Sequence, residues 1–435
     1  MNVFEAANDR IHKIFQDFDN IYVSFSGGKD SGVLLNLCID YIRNHAPHRK
    51  IGVFHIDYEA QYQMTTDYVD QELAKNLDIF DVYRICMPIA ASCATSMHSS
   101  YWIPWDKNDK HLWVRELPSI CVNEENHEFE WFNKGMRDYE LQTRFAEWYH
   151  NKKQATKTCC LVGIRTDESM NRWRAIHSDK NQNKYNELIY TLKMAENVYN
   201  AYPIFDWKVN DVWVANAQQQ WTYNKLYDLF WQAGVTPDQM RVASPFHECG
   251  IASLKLYKVI DPKNWGKMIG RTNGVNFAGL YGGTTAMGWR NIKLPSGHTW
   301  KSYMEFLLTT LPESAVQNYK KKLEKSLIFW KDKGGCLSSG VIEKLRENNI
   351  EFRMGEKTNF QTDKLPVMMD YVDDIDITEF SEIPSYKRFC VCIIKNDHLC
   401  KFMGFSATKT ETQLRAEATK KYSNILGEKN EQSSL

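Results

Sequence analysis

The chain has 435 residues, with 54 lysines and arginines against 54 aspartates and glutamates. Zero net charge excludes a protein that coats a polyanion by bulk charge, though not one with a local basic patch, and 43% hydrophobic with 25% charged residues excludes long disorder or a collagen-like chain. No apolar run approaches the ~18 residues of a membrane helix, the charged first twenty residues lack a signal-peptide core, and eleven irregularly spaced cysteines read as reduced thiols, so a cytoplasmic protein with no membrane partner is expected.

Val3, Phe4, Ala7, Ile11, Ile14, Phe15 and Phe18 recur at helical spacing and predict an opening amphipathic helix. Ile21–Phe25 reads as a buried strand, Gly27-Gly28 as a turn, and Val33 to Ile42 as the next helix. Ile51–Ile56 predicts a second strand, Tyr62–Leu77 a helix, and Val82–Cys86 a third strand. This alternation predicts a parallel sheet with helices on both faces. Residues 88–150 break the rhythm with five tryptophans and read as an insertion over the sheet edge. Thr158–Ile164 returns as a core strand, and 201–235 is again rich in aromatics.

Beyond about residue 245 the composition shifts. Residues 1–240 are expected to form one domain, 241–426 a second, mixed α+β domain, and 427–435 a polar tail. Between Ile251 and Trp300, seven lysines and arginines face Asp261 alone. Arg271, Trp289, Arg290, Lys293 and Trp300 in this segment could hold a nucleic-acid backbone and stack bases; solvated lysines in a glycine-punctuated loop are the plainer reading. Val316, Tyr319, Leu323, Leu327 and Trp330 share one face of a long helix that Gly334-Gly335 should stop. The stretch 363–382 is acidic.

Ser24-Phe25-Ser26-Gly27-Gly28-Lys29-Asp30-Ser31 follows a strand and opens a helix. Two glycines let the backbone turn and present its N–H groups, and the helix start adds unpaired donors and a positive dipole end. Ser24, Ser26 and Ser31 offer hydroxyls, Lys29 a positive charge, and Asp30 a ligand for the helix start or magnesium. It is not the Walker loop, since Val23 and Asp30 stand where that motif needs glycine and Ser/Thr. Arg165 and Arg172 flank Asp167 and Glu168 just after a strand, where open α/β sheets bind ligands, and guanidinium forks suit phosphate or sulfate oxygens.

Ser26–Ser31 resembles the PP-loop of the adenine nucleotide alpha hydrolase superfamily. Gly163-Ile164-Arg165-Thr166-Asp167-Glu168-Ser169 with Arg172 resembles the G-x-R-x-D-E-S-x-x-R signature of its phosphoadenosine phosphosulfate (PAPS) reductase and sulfurylase branch. Pro203-Ile204-Phe205-Asp206-Trp207 with Asp211-Val212-Trp213 is similar to that branch's third motif. The resemblance covers residues 20 to 235. It implies an α/β, adenine nucleotide alpha hydrolase-like sheet that binds ATP or PAPS, with Mg2+ if the ligand is ATP. Gly163 would join the nucleotide-binding residues, and Asp57, near His55, would help hold adenosine. Lys29, Asp30 and Arg165 would act at the α-phosphate or the sulfate.

A PAPS reductase also needs a nucleophilic cysteine in an E-C-G-x-H motif. Glu248-Cys249-Gly250 is present, but Ala252 replaces the final histidine, so Cys249 is a catalytic candidate or a plain thiol. Cys159-Cys160 lies on a strand and no C-x-x-C follows, so no iron–sulfur cluster is expected. Ser244-Pro245-Phe246, Gly274–Gly279, Gly282–Trp289 and Tyr386–Cys392 resemble the second domain of IbrA-type co-activators of prophage gene expression, which implies a ParB-like protein partner and a prophage or phage-defence setting. Cys390, Cys392, His398 and Cys400 could hold zinc or be core thiols on a buried strand over Phe389–Ile394. Three functions fit: a PAPS-reductase-like sulfur enzyme, an ATP pyrophosphatase that modifies a nucleic acid or protein, and a nucleotide-switched co-activator without turnover.

Overall fold

A computed structural model describes residues 2–96, 99–168, 170–177, 183–281, 292, 294–355, 364–374 and 382–405. The Gly282–Trp289 run, Ser169, Arg290, Lys293, Asp363, Asp376, Glu379 and the tail 427–435 lie outside them. The chain separates into two compact units, Met1–Gly283 and Thr284–Leu435. No helix among the described residues is long and apolar enough to cross a membrane.

The first unit is built on a seven-stranded sheet. Its strands are β1 (Asn20–Ser24), β2 (Ile51–Ile56), β3 (Phe80–Cys86), β6 (Val122–Asn123), β7 (Thr158–Val162), β8 (Thr191–Ala195) and β9 (Val198–Ala201); β4 (Ala91–Ser92) and β5 (Tyr101–Trp102) pair separately. The order is β6-β3-β2-β1-β7-β9-β8, and all pairs are parallel except β8 with β9. The chain runs outward from β1 through β2, β3 and β6, then crosses back to place β7 on the other side of β1. That reversal fixes where a crevice opens.

Side-chain alternation sorts two layers. Ile21, Val23, Ile51, Val53, Cys159 and Leu161 face α1 (Val3–Asp17), α2 (Lys29–His45), α3 (Gln63–Lys75) and α6 (Val209–Gln219). Tyr22, Phe54, Cys160 and Val198 face α4 (Asp138–Lys152) through its Leu141, Phe145 and Tyr149. Helices therefore cover both faces. The residues 88–150 do more than fold over an edge: β6 extends the sheet, and α4 forms one whole layer. The remaining helices of the unit are α5 (Met170–His177), α7 (Leu226–Gln232), α8 (Tyr257–Ile260), α9 (Pro262–Arg271) and α10 (Val275–Tyr281).

A buried carboxylate ties the later helices to β2. Glu59, just past β2, has a left-handed backbone with φ of 66° and no exposed surface. Its carboxylate accepts from the Trp105 and Val114 N–H groups at 2.8 and 3.0 Å and from Arg271 Nε and Nη2 at 2.8 and 3.1 Å. Arg271 is one of the residues that could have held a nucleic-acid backbone. Its burial against Glu59 corrects that reading, because a charge taken out of water needs a fixed partner.

The second unit is mixed α+β. It joins α11 (Trp300–Thr309), α12 (Glu313–Asp332), α13 (Ser339–Glu347) and α14 (Tyr386–Ile394) with an antiparallel sheet ordered β10 (Gly335–Leu337), β12 (Leu365–Met369), β11 (Phe352–Met354). α12 ends as expected, with Gly334 at φ of 72°. Trp300, which could have stacked bases, is buried instead, its indole donating to Asp374 at 3.2 Å. The run Phe389–Ile394 is helical rather than a strand. Ser385 caps α14 by accepting from the Arg388 N–H, and a short apolar run buried from Phe389 to Ile393 carries no period to separate the two forms.

Truncating Glu59 to alanine would leave Arg271 buried without its partner. A loss of about 3–5 kcal/mol is expected, read as a lower urea midpoint in equilibrium unfolding followed by circular dichroism.

Candidate functional site

At the carboxyl ends of β1 and β7, where the connections reverse, lies a cavity of about 430 Å³. Ser24 and Val162 are register partners and end the two strands side by side at its floor. The segment after β7 then crosses α2 closely. A Cβ on Gly163 would stand 3.0 Å from the carbonyl of Asp30 and the amide of Ser31, so the crossing needs glycine. Gly27 turns with φ of 75°, and a Cβ there would meet Val69 Cγ2 at 2.8 Å.

Hydroxyls hold the loop's main-chain donors. Ser26 N–H donates to Ser31 Oγ at 3.2 Å, Gly28 N–H to Ser26 Oγ at 3.3 Å, and Lys29 N–H to the Tyr227 hydroxyl at 3.0 Å. Ser26, Ser31 and Tyr227 all line the cavity. A hydroxyl can rotate and share such a site with an oxyanion, so the donors of the loop and of the α2 start remain oriented for one.

The charged residues divide into two groups. Asp30 accepts from Arg165 Nε at 2.6 Å through one oxygen and pairs with Lys29 Nζ at 3.1 Å through the other. Lys29 also donates to the Met240 carbonyl at 3.2 Å. Lys29 and Arg165 are 5% and 2% exposed and stand behind the wall rather than on it. Burial lowers the Lys29 pKa; Asp30 opposes this, and Arg165 and Arg241 reinforce it. Arg165 Nη2 also binds Glu168 at 3.1 Å, and Glu168 pairs in turn with Arg172.

Arg172 and Arg241 are the guanidinium groups on the wall itself. Burial pushes the Arg172 pKa down; Asp30 opposes it, and the like charges of Arg241 and Arg165 add to it. Like charges gathered in one crevice repel, and an anionic ligand relieves that repulsion.

The far wall comes from residues 241–249, held at both ends. Lys29 anchors Met240, and Phe246, fully buried against Trp102 with ring centroids 4.8 Å apart, takes the Ala94 N–H on its carbonyl. Ser244, His247 and Cys249 then face the cavity. Cys249 is exposed, and its N–H donates to His247 Nδ1 at 3.2 Å. Among the described residues, a set of three potential metal-ligating side chains gathers at His247, Glu248 and Cys249, with ligand atoms within 4.8 Å of one another. Tyr58 donates to Asp138 at 3.1 Å, and both line the cavity.

Several expected residues stand elsewhere. Asp57 is buried, its carboxylate paired with Arg84 and Arg115, so it is not presented to a nucleotide. Burial alone would raise its pKa, but Arg115 and Arg84 hold it well below the usual carboxylate range. Asp167 points outward, 3.7 Å from Arg165. Asp206 and Trp207 brace α1: Arg10 forks onto Asp206 at 2.7 Å, and the Trp207 indole donates to the Val3 carbonyl at 3.0 Å. The proposed zinc ligands do not come together as a set of four. Two residues apart on a helix, Cys390 donates to the Trp300 carbonyl at 3.5 Å, while Cys392 meets Cys400, and His398 stacks on Tyr319. Cys159 and Cys160 face opposite sides of the sheet. The reading of motifs missed Arg241, Tyr227, Tyr58 and Asp138, which belong to no recognisable spacing.

These features define a class: a PP-loop α/β domain with a cavity beside the loop at the sheet's switch point. Residues 20–233 match the phosphoadenosine phosphosulfate reductase domain, and residues 234–414 match the Domain of unknown function (DUF3440). The Uncharacterized protein YbdN of Escherichia coli (strain K12) is 31% identical over 419 residues, 95% of this chain and 93% of YbdN. The chain belongs to the family of YbdN, in which a PAPS reductase domain precedes a DUF3440 domain. Among solved structures, the PAPS reductase of Candida auris aligns at a TM-score of 0.30 with 13% identity, over 52% of this chain and 84% of that one. The U34-tRNA thiolase NcsA of Methanococcus maripaludis aligns at 0.31 with 12% identity, over 63% and 79%.

His55, buried at the end of β2, gives the site's surroundings a pH signature. Its Nδ1 lies 2.7 Å from the Phe25 carbonyl, and burial pushes its pKa down to about 4. Between pH ~6.5 and 4 the unfolded chain therefore binds the extra proton, so stability is complete above that window and falls as the pH drops through it. The expected loss is about 3 kcal/mol. Denaturant midpoints measured from pH 7 to 4 should fall more steeply for the native chain than for His55→Gln.

Proposed function

We propose that the cavity binds an adenine nucleotide by its anionic tail and that Cys249 attacks a sulfonate carried there, a PAPS-reductase-like reaction. One observation carries the reading: the exposed Cys249 lines the same cavity as Ser26, Ser31 and Arg172. The loop amides, Arg172 and Arg241 would bind the tail and stabilise charge on the departing phosphate. Tyr58, Ser92 and Asp138, which also line the cavity, would meet the nucleoside. In the first step the Cys249 thiolate forms an S–S bond to the sulfonate sulfur, the S–O bond breaks, and adenosine bisphosphate leaves with the electron pair. A dithiol reductant then attacks the cysteine sulfur, sulfite departs, and the dithiol ends as a disulfide.

The ATP reading asks for magnesium. Asp30 and Glu168 are both committed to cationic side chains, so the loop's donor set suits a metal-free oxyanion better. Asp138 would be the carboxylate left to help phosphate oxygens and water hold the ion. The resemblance to prophage co-activators adds a regulatory or defence setting, with a ParB-like protein as the partner on which turnover would wait.

The test is to incubate the purified chain with PAPS and dithiothreitol, or with ATP and Mg2+, each with and without the ParB-like protein, and to identify products. Sulfite and adenosine bisphosphate are expected. AMP and pyrophosphate would favour the ATP reading, binding without product a switch, and no binding heat with any adenine nucleotide would sink the reading altogether. Cys249→Ala should abolish sulfite release with affinity kept within about twofold. Arg172→Ala should weaken binding by about 10- to 100-fold in calorimetry, the weight of a charged hydrogen bond or two.

A further inference from the structure

The segment that carries Cys249 folds into two successive turns. The His247 N–H donates to the Ser244 carbonyl at 3.1 Å, and the Gly250 N–H to the His247 carbonyl at 2.8 Å. Gly250 lies hard against the start of the segment, where a Cβ would stand 2.7 Å from the Ser244 carbonyl oxygen. The loop is therefore pinned at both ends, and its middle residues are fixed relative to one another. Its His247, Glu248 and Cys249 bring their ligand atoms within 4.8 Å of one another. The Cys249 N–H donates back to His247 Nδ1 at 3.2 Å, which holds the imidazole over the turn.

We propose that His247, Glu248 and Cys249 form a site for a thiophilic divalent cation, zinc by its ligand chemistry, on the wall of the nucleotide cavity. One nitrogen, one carboxylate oxygen and one sulfur are a zinc donor set, whereas magnesium and calcium take oxygen ligands. Around tetrahedral zinc the ligand atoms stand about 3.5 Å apart. The turn must then draw in by at most roughly 1.3 Å, which an exposed Cys249 allows. Coordination through Nδ1 would release the Cys249 amide to water, a small cost at an exposed position. Arg172 and Arg241 line the same cavity and oppose a cation, but the thiolate and the carboxylate bring two negative charges that neutralise the ion.

Three protein ligands leave a fourth position, the pattern of an open zinc site rather than a closed one. That position falls to water or to an anionic oxygen from the cavity, which His247 and Cys249 both line. Ser244 supplies a second, independent sign. It lines the same cavity, is 9% exposed, and its hydroxyl has no hydrogen-bond partner among the described residues. A buried hydroxyl without a partner costs free energy, and a metal-bound water or oxyanion would give it one. Binding turns the Cys249 thiol into a zinc thiolate and releases one proton to solvent; no electrons are transferred. The sulfur lone pair then lies on the metal and cannot attack, so zinc holds the proposed nucleophile in reserve. This last consequence rests on the sulfonate reading above; the site itself does not.

The full chain, treated with EDTA and desalted, is titrated with zinc chloride by calorimetry and with cobalt chloride by absorption. One zinc per chain is expected, and cobalt should give a thiolate charge-transfer band in the near ultraviolet with tetrahedral d–d bands in the visible. Cys249→Ser should lose the charge-transfer band. His247→Ala should weaken zinc binding by more than about 10-fold, the least that even an outer partner of a metal ligand is worth. In the native chain, zinc should slow iodoacetamide labelling of Cys249, read by peptide mass spectrometry, and EDTA should restore it; this measure needs no variant to fold. No binding heat and no band, binding that both variants keep, or labelling that zinc leaves unchanged would each overturn the proposal. Zinc binding without sulfite release under any condition would keep the site and remove the sulfonate reading, and sulfite release from a chain that binds no zinc would do the opposite.

Discussion

The Asp30 carboxylate holds the site together. One oxygen takes Arg165 from the segment after β7, and the other takes Lys29 from its own helix start. This bond is possible because Gly163 lets that segment lie against the first turn of α2. The crossing brings Glu168 and Arg172 to the cavity, and the Lys29 bond to Met240 brings in the opposite wall. A buried ion pair of this kind adds little net stability but strongly penalises the alternatives in which one partner is left alone. Its role here is to fix geometry. The most conspicuous charges of the loop become scaffold, and Arg172 and Arg241 are the guanidinium groups that line the cavity.

Much of the sheet could be read from the sequence because its strands are buried on both sides and bounded by turns. The loop was legible for the same reason: Gly27, Gly28 and the serines follow from what an anion site demands of a backbone. The role of Lys29 was not legible. Which of two cations turns outward depends on which carboxylate each can reach, and Asp30 lies beside Lys29 in sequence but meets Arg165 only in the fold. Asp57 was misplaced by a similar limit, since Arg84 and Arg115 come from a neighbouring strand and a distant loop. Arg241 and Tyr58 carry no motif at all. α14 was misassigned because Phe389–Ile393 is buried without a break, and the deciding signal was the polar cap at Ser385.

The cavity does not respect the border between the two family regions. Its floor and one side come from residues before 233, and Arg241, Ser244, His247 and Cys249 come from after it. Compactness follows the cavity, since the first unit runs on to Gly283. The nucleophile candidate and the anion loop are thus parts of one packed body, set by Phe246 against Trp102 and by the Met240 anchor.

The Glu59 clamp carries this further. A carboxylate sealed beneath Trp105 and Val114 finds its counter-charge on Arg271, more than two hundred residues downstream. A gene cut at the family border would strand that anion in an apolar interior, so the upstream half is ill suited to being inherited, borrowed or recombined without its neighbour. Exchange of modules between lineages should then succeed only where the joint falls beyond α10.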